Sequence, residues 1–174
     1  MTRYTKTLSA LTVVTAATYA LLVGVGMAHL VLGPEKLQPF DLRPLGYSVQ
    51  DAAQYLSLLN EDKAALYTGL LRRVDTLFPV LFGLWMGWVC WGLTRTLHPW
   101  SRVILLVAPA SYTVMDLCEN ALVADMVLAF KTPPNPTLVS LASSYTVSKF
   151  VTLFVAFGLL LVMMIRKIGQ SRLD

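Results

Sequence analysis

Four long apolar runs constrain this chain more than any other feature it has. Residues 8–32, 74–94, 103–130 and 137–165 are each long enough, at ~1.5 Å of rise per residue, to cross a ~30 Å hydrocarbon core as a helix. A chain in lipid must satisfy its own backbone N–H and C=O groups, and a helix does so within one segment. The expected fold is therefore all-α: a four-helix transmembrane bundle forming a single membrane domain over 1–174. An outer-side loop and an extra helical segment, 33–73, separate spans one and two. Composition agrees, with 56% hydrophobic and only 14% charged residues, against roughly 25% charged in an average soluble domain. The first run is too long for a signal-peptide core and ends in no A-x-A-like site, so it is expected to be a retained helix.

A net charge of +4 suggests nucleic acid at first sight. The basic residues sit mainly at the ends of the apolar runs, where membrane topology places them, and nucleic acid is excluded as a partner. Arg3, Lys6, Arg95, Arg102, Arg166, Lys167 and Arg172 fall on one side; Lys36, Arg43, Lys63, Arg72, Arg73 and Lys131 fall on the other. The first set occupies much shorter segments, which puts both termini in the cytoplasm.

Helix signals are local and specific. Ser48 with Asp51 is a variant capping box, and Asn60 can cap a second start with Glu61 and Asp62 in its first turn. Pro79, inside the second run, predicts a kink. Residues 94–102 read as a tight turn, and Asn135-Pro136 as the N-cap and first residue of the last helix. Gly83 and Gly87 form a GxxxG that permits close packing or dimerisation. Thr12, Thr15 and Tyr19 form a stripe read as a packing face, while Trp85 and Trp88 are expected to face lipid or a partner. Cys90 and Cys118 have no redox or zinc-like spacing, and neither metal nor cofactor is expected.

The second constraint is polar. Within the third run, Tyr112, Asp116, Glu119, Asn120 and Val123 share one helical face; in the fourth, Tyr145, Thr146, Lys149, Thr152 and Ala156 do. Counted from the cytoplasmic ends, Asp116 lies ~21 Å deep, Glu119 and Lys149 ~25 Å, Asp75 ~30 Å and His29 ~34 Å. Each helix thus carries an ionisable group to the outer half of the bilayer. Such charges usually face the bundle and pair, so Lys149 is expected against Glu119 or Asp116, with Arg72 or Arg73 as further cations from the interface facing the three acids Asp75, Asp116 and Glu119. If Lys149 alone meets the acids of the third helix, one carboxylate is expected to hold a proton. The expected network is His29, Arg72, Asp75, Tyr112, Asp116, Glu119, Asn120, Tyr145 and Lys149.

Two stretches carry a resemblance. Gly46-Tyr47-Ser48 leads to Asp51, Tyr67, Asp75 and Phe78-Pro79; the second is Asp116-Leu117-Cys118-Glu119-Asn120. Together they resemble uncharacterised small bacterial membrane proteins with four spans, which pair a D-x-x-F-P with a D-x-x-E-N motif. The resemblance implies the topology and a bacterial inner membrane, and brings no activity with it.

These readings favour a small, non-enzymatic integral membrane protein. It binds a membrane-protein partner, a second copy of itself or a hydrophobic small molecule, and the polar network holds its shape. The alternatives are an intramembrane acid–base enzyme acting on a lipid-like substrate, or proton-coupled transport. In the enzyme, Asp116 or Glu119 exchanges the proton and Lys149 is the electrostatic partner.

Overall fold

Each apolar run forms a helix in the computed structural model, which describes residues 2–170. Arg172, counted above among the cytoplasmic cations, lies outside the described residues. Helix α1 is Arg3–His29 and α2 Val49–Ser57; α3, Glu61–Leu66, continues through a π-type turn, Tyr67–Leu71, into α4, Arg72–Leu93. Helices α5 (Pro99–Leu105), α6 (Val107–Leu128) and α7 (Pro136–Gln170) complete the chain. The architecture is an all-α bundle, and four helical stretches are long and apolar enough to cross a membrane: Arg3–His29, Glu61–Leu93, Pro99–Leu128 and Pro136–Gly169.

The helix starts follow from their caps. Ser48 accepts from the Asp51 amide while Asp51 accepts from the Ser48 amide, the reciprocal box that satisfies two orphan donors. The Ser48 hydroxyl and amide hold the Asp51 carboxyl below the usual carboxylate range. Asn60 caps α3 through the Lys63 amide at 2.9 Å, and Asn135 caps α7 through the Thr137 amide at 2.9 Å. The third span departs from expectation. It begins at Pro99 rather than after Arg102, and it breaks at Leu106 into α5 and α6. Pro109 has no N–H for the Leu105 carbonyl and its ring crowds that turn, so the helix resets there.

Pro79 similarly strips its hydrogen bond from the Asp75 carbonyl one turn earlier. Asn120 on α6 replaces it, its Nδ2 donating to that carbonyl at 2.9 Å. Nearby, the Thr113 hydroxyl lies 3.0 Å from the Pro79 carbonyl and 3.1 Å from that of Pro109. This approach requires a glycine opposite: a Cβ at Gly83 would sit 2.1 Å from Thr113 Oγ1, whereas one at Gly87 would meet only Leu106 at 3.7 Å. In lipid, where apolar burial gives helices little reason to associate, small residues and hydrogen bonds of this kind join α4 to α6.

Helix α1 is attached differently. It packs on α4 and makes at most marginal contact with α6 or α7. Trp85 Nε1 donates to Thr12 Oγ1 at 2.9 Å, and Trp88 stacks on Tyr4 with ring centroids 5.8 Å apart. The tyrosine hydroxyl donates to the Trp88 carbonyl at 3.2 Å, in a space left open by Gly92. These two tryptophans therefore tie α1 to α4 instead of facing outward.

The segment between α1 and α3 folds back over one end of the bundle. Phe40, Tyr55, Leu56 and Leu59 pack with Val123, Met126 and Val127 of α6 and Val139 and Ala142 of α7. The Tyr55 hydroxyl donates to the Leu30 carbonyl at 2.8 Å, closing the end of α1, and burial pushes its pKa up. Gly46, at φ +79°, lets the chain turn so that the Tyr47 amide reaches Ser143 Oγ at 2.8 Å. Arg43 lies within 6 Å of the Phe40, Tyr47 and Tyr55 ring centroids, at 5.3, 5.8 and 5.3 Å, a cation held by three aromatic faces.

The glycine geometry separates two substitutions that the motif treats alike. Gly83→Ala forces Thr113 aside and is expected to lower Tm in detergent by about 4 °C or more, from ~1–3 kcal/mol of overpacking. Gly87→Ala should leave Tm nearly unchanged, and Thr113→Ala should largely relieve Gly83→Ala. Thermal unfolding of the four proteins reads all of this.

Candidate functional site

The polar face of α6 turns inward as a unit: Tyr112, Asp116, Glu119, Asn120 and Val123 are all buried. Thr146, Lys149 and Ala156 are the buried members of the facing stripe on α7. Lys149 sits between both acids. Its Nζ is 3.0 Å from Asp116 Oδ1 and also forms an ion pair with Glu119 Oε2. The second Asp116 oxygen accepts from the Tyr112 hydroxyl at 2.9 Å, and the second Glu119 oxygen accepts from Thr146 at 2.5 Å. Glu119 is 0% exposed and Lys149 6%, so these charges have exchanged water for one another and for two hydroxyls.

Beside this centre lies a cavity of about 490 Å³, within the ~300–1,000 Å³ usual for small-molecule sites. One long wall is α1, whose contributing residues run from Thr12 to Leu30, or ~27 Å along the helix. The opposite wall includes Phe150, Leu153 and Phe157 of α7. The space exists because α1 is tied to α4 while standing off from α7. The third wall is the face of α4 that repeats at helical spacing: Arg72, Asp75, Phe78, Phe82 and Trp85. Its aromatics form a ladder, with ring centroids 5.5 Å apart from Phe78 to Phe82 and 5.6 Å from Phe82 to Trp85, and Tyr19 lies tilted against Phe78 at 5.5 Å.

The lining is mostly apolar; Thr12, Thr15 and Tyr19 of α1 add hydroxyls, and the ionisable groups gather at one place. Asp41 from the capping segment, Tyr67 from the π-type turn, Arg72, Asp75, Tyr112, Asp116 and Lys149 all face the space. The Tyr67 hydroxyl donates to Asp41 Oδ1. Arg72 makes no ion pair among the described residues and Arg73 is exposed, so neither pairs with the three acids from the interface. Next to the cap, burial raises the Tyr47 pKa.

The expected network therefore divides. Lys149, Asp116, Glu119 and Tyr112 form one bonded cluster; Asn120 and Asp75 meet through a backbone carbonyl; Arg72 shares only the cavity. His29 is exposed at the end of α1 and Tyr145 is half-buried, and neither bonds to the cluster. A residue at helical spacing from Lys149 has two neighbouring choices, and Thr146, one position on, takes the inward place. Of the acid–base candidates, Asp116 and Lys149 reach the cavity, whereas Glu119 is walled off from it. Sequence reasoning missed Asp41, whose loop position gives no periodic signal, and the cavity itself. No group of His, Cys, Asp or Glu among the described residues is arranged to hold a metal ion.

Comparisons with protein-family models, with curated proteins and with solved structures find no match to this chain.

The ion centre makes a signed prediction. Lys149→Met leaves two carboxylates unpaired in a dry interior and is expected to cost about 3–5 kcal/mol. Glu119→Gln alone removes one partner and should cost less. In Lys149→Met/Glu119→Gln much of the loss should return, a coupling that thermal unfolding of the double-mutant cycle measures.

Proposed function

We propose that this is an integral membrane protein that binds an elongated hydrophobic molecule in the cavity between α1, α4 and α7, with the Lys149 centre serving as scaffold. The observation that carries the reading is the cavity: about 490 Å³, mostly apolar in its lining, with its ionisable groups gathered at one place. A bundle built only to hold its shape gains nothing from such a void, since an unfilled space forfeits packing contacts. A ligand fills it. The gap between α1 and α7 supports access from the bilayer, because little contact joins those helices.

The same reading places the protein in a bacterial inner membrane with both termini cytoplasmic. Arg3, Lys6, Arg95 and Arg102 gather at the end opposite the cap, and Arg95 and Arg102 lie over Tyr4 and Trp91, as cations and aromatics do at an interface. Gly83 and Gly87 pack against α6 of the same chain, which argues for a ligand rather than a second copy as the partner. An acid–base role is the second reading, and what favours it is that Asp116 and Lys149 reach the cavity. It requires the ligand to emerge chemically altered.

Native mass spectrometry of protein taken from membranes into a mild detergent tests the binding reading. Wild-type protein is expected to carry an extra apolar mass. Ala16→Phe/Leu153→Phe, which adds bulk to two facing walls, should lose most of that occupancy while keeping its Tm. Equal occupancy in the variant, or no added mass in either protein, overturns the proposal. Lipid extracts from the same preparations would contain a product only under the enzymatic reading.

A further inference from the structure

We infer that the ligand is a single-chain amphiphile with a cationic amine head, and that Asp75 receives the ammonium with Asp41 as the second carboxylate. This rests on the binding reading above and deepens it. Charge at the polar end of the cavity selects the head group. Three carboxylates, Asp41, Asp75 and Asp116, line the polar end together with the cations Lys149 and Arg72, and Glu119 lies behind Lys149. Lys149 is fully engaged by Asp116 and Glu119. Tyr67 gives Asp41 one hydrogen bond, which leaves its charge in place.

Asp75 is the residue for which the protein itself supplies nothing. It faces the cavity, protein encloses its other sides, and its carboxylate has no hydrogen-bond or ion-pair partner among the described residues. Neither Asp75 nor Asp41 forms a salt bridge with any described cation, because Lys149 is taken by Asp116 and Glu119 and Arg72 pairs with no acid. A half-buried carboxylate facing a mostly apolar cavity without a partner is costly, and a ligand that brings a donor and a positive charge removes the cost. An anionic head would meet the opposite balance. Phe78, one turn from Asp75, and Tyr19 tilted against it line the cavity beside this carboxylate. The chain of the amphiphile then runs along the ladder of Phe82 and Trp85 beside α1.

The test compares three probes with one eighteen-carbon chain: oleylamine, oleyl alcohol and oleyl sulfate. Each is titrated into the full-length protein in dodecyl maltoside, a detergent without charge. Trp85 emission reports binding in a protein whose Trp88, Trp91 and Trp100 are changed to Phe. Oleylamine is expected to bind about ten-fold or more tighter than the alcohol, and the sulfate weakest. Asp75→Asn should bring the amine-to-alcohol ratio to about one, and Asp75→Glu should keep most of the preference, which separates charge from fold. Equal affinities, a preference for the sulfate, or an amine preference that survives Asp75→Asn overturns the head-group inference. If those probes still bind and Ala16→Phe/Leu153→Phe weakens them together, the cavity reading stands without it. If none binds, both fall.

Discussion

The Lys149 ammonium, held between Asp116 and Glu119, is the interaction on which the rest of the bundle depends. Inside a hydrocarbon layer an unpaired charge is expensive, and apolar side chains have no preference for one another over lipid. The pairing therefore does two things at once. It makes three ionisable groups tolerable at depth, and it fixes the rotation of α6 against α7, because only one face of each helix can be inward. Tyr112 and Thr146 then take the remaining carboxylate oxygens, leaving little freedom to slide.

Polar repair rather than burial also sets the second helix pair. Pro79 opens the hydrogen-bond ladder of α4 at Asp75, and Asn120 closes it from α6. Three residues from two motifs, Asp75, Pro79 and Asn120, are thus one device, and the proline is an attachment point between helices. With α6 fixed to both α7 and α4, α1 is the remaining element, held to α4 by Thr12, Tyr4 and two tryptophans and to the cap by Tyr55. Its distance from α7 is what opens the cavity. The cap over 30–71 closes one end and contributes Asp41.

Much of this was legible in the residues. Four apolar runs dictate four helices, and the spacing of Tyr112, Asp116, Glu119, Asn120 and Val123 marks a single inward face. The caps at Ser48, Asn60 and Asn135 are local hydrogen-bond chemistry, which survives tertiary context. What was hidden depends on neighbours. Periodicity cannot say that Thr146 and not Tyr145 turns inward, nor that Asp41 returns from a loop to the wall of a cavity. The break at Leu106 was written in Pro109, but a proline near a helix start reads equally as a tolerated first turn. Trp85 and Trp88 pointed outward on composition alone, because their partners, Thr12 and the Tyr4 carbonyl, belong to a helix more than seventy residues earlier. A void has no residue of its own, so no pattern announces it.

Solid-state NMR in lipid bilayers tests the central claim most directly. Protein labelled with ¹⁵N at lysine Nζ and ¹³C at aspartate and glutamate carboxyls reports each pair by dipolar dephasing, and Lys131→Met removes the surface pair with Glu61. The account predicts strong short-range dephasing from one remaining buried ammonium, coupled to one aspartate and one glutamate carboxyl together, and absent in Lys149→Met. A Lys149 ammonium that dephases with neither acid, or with one alone, would contradict it.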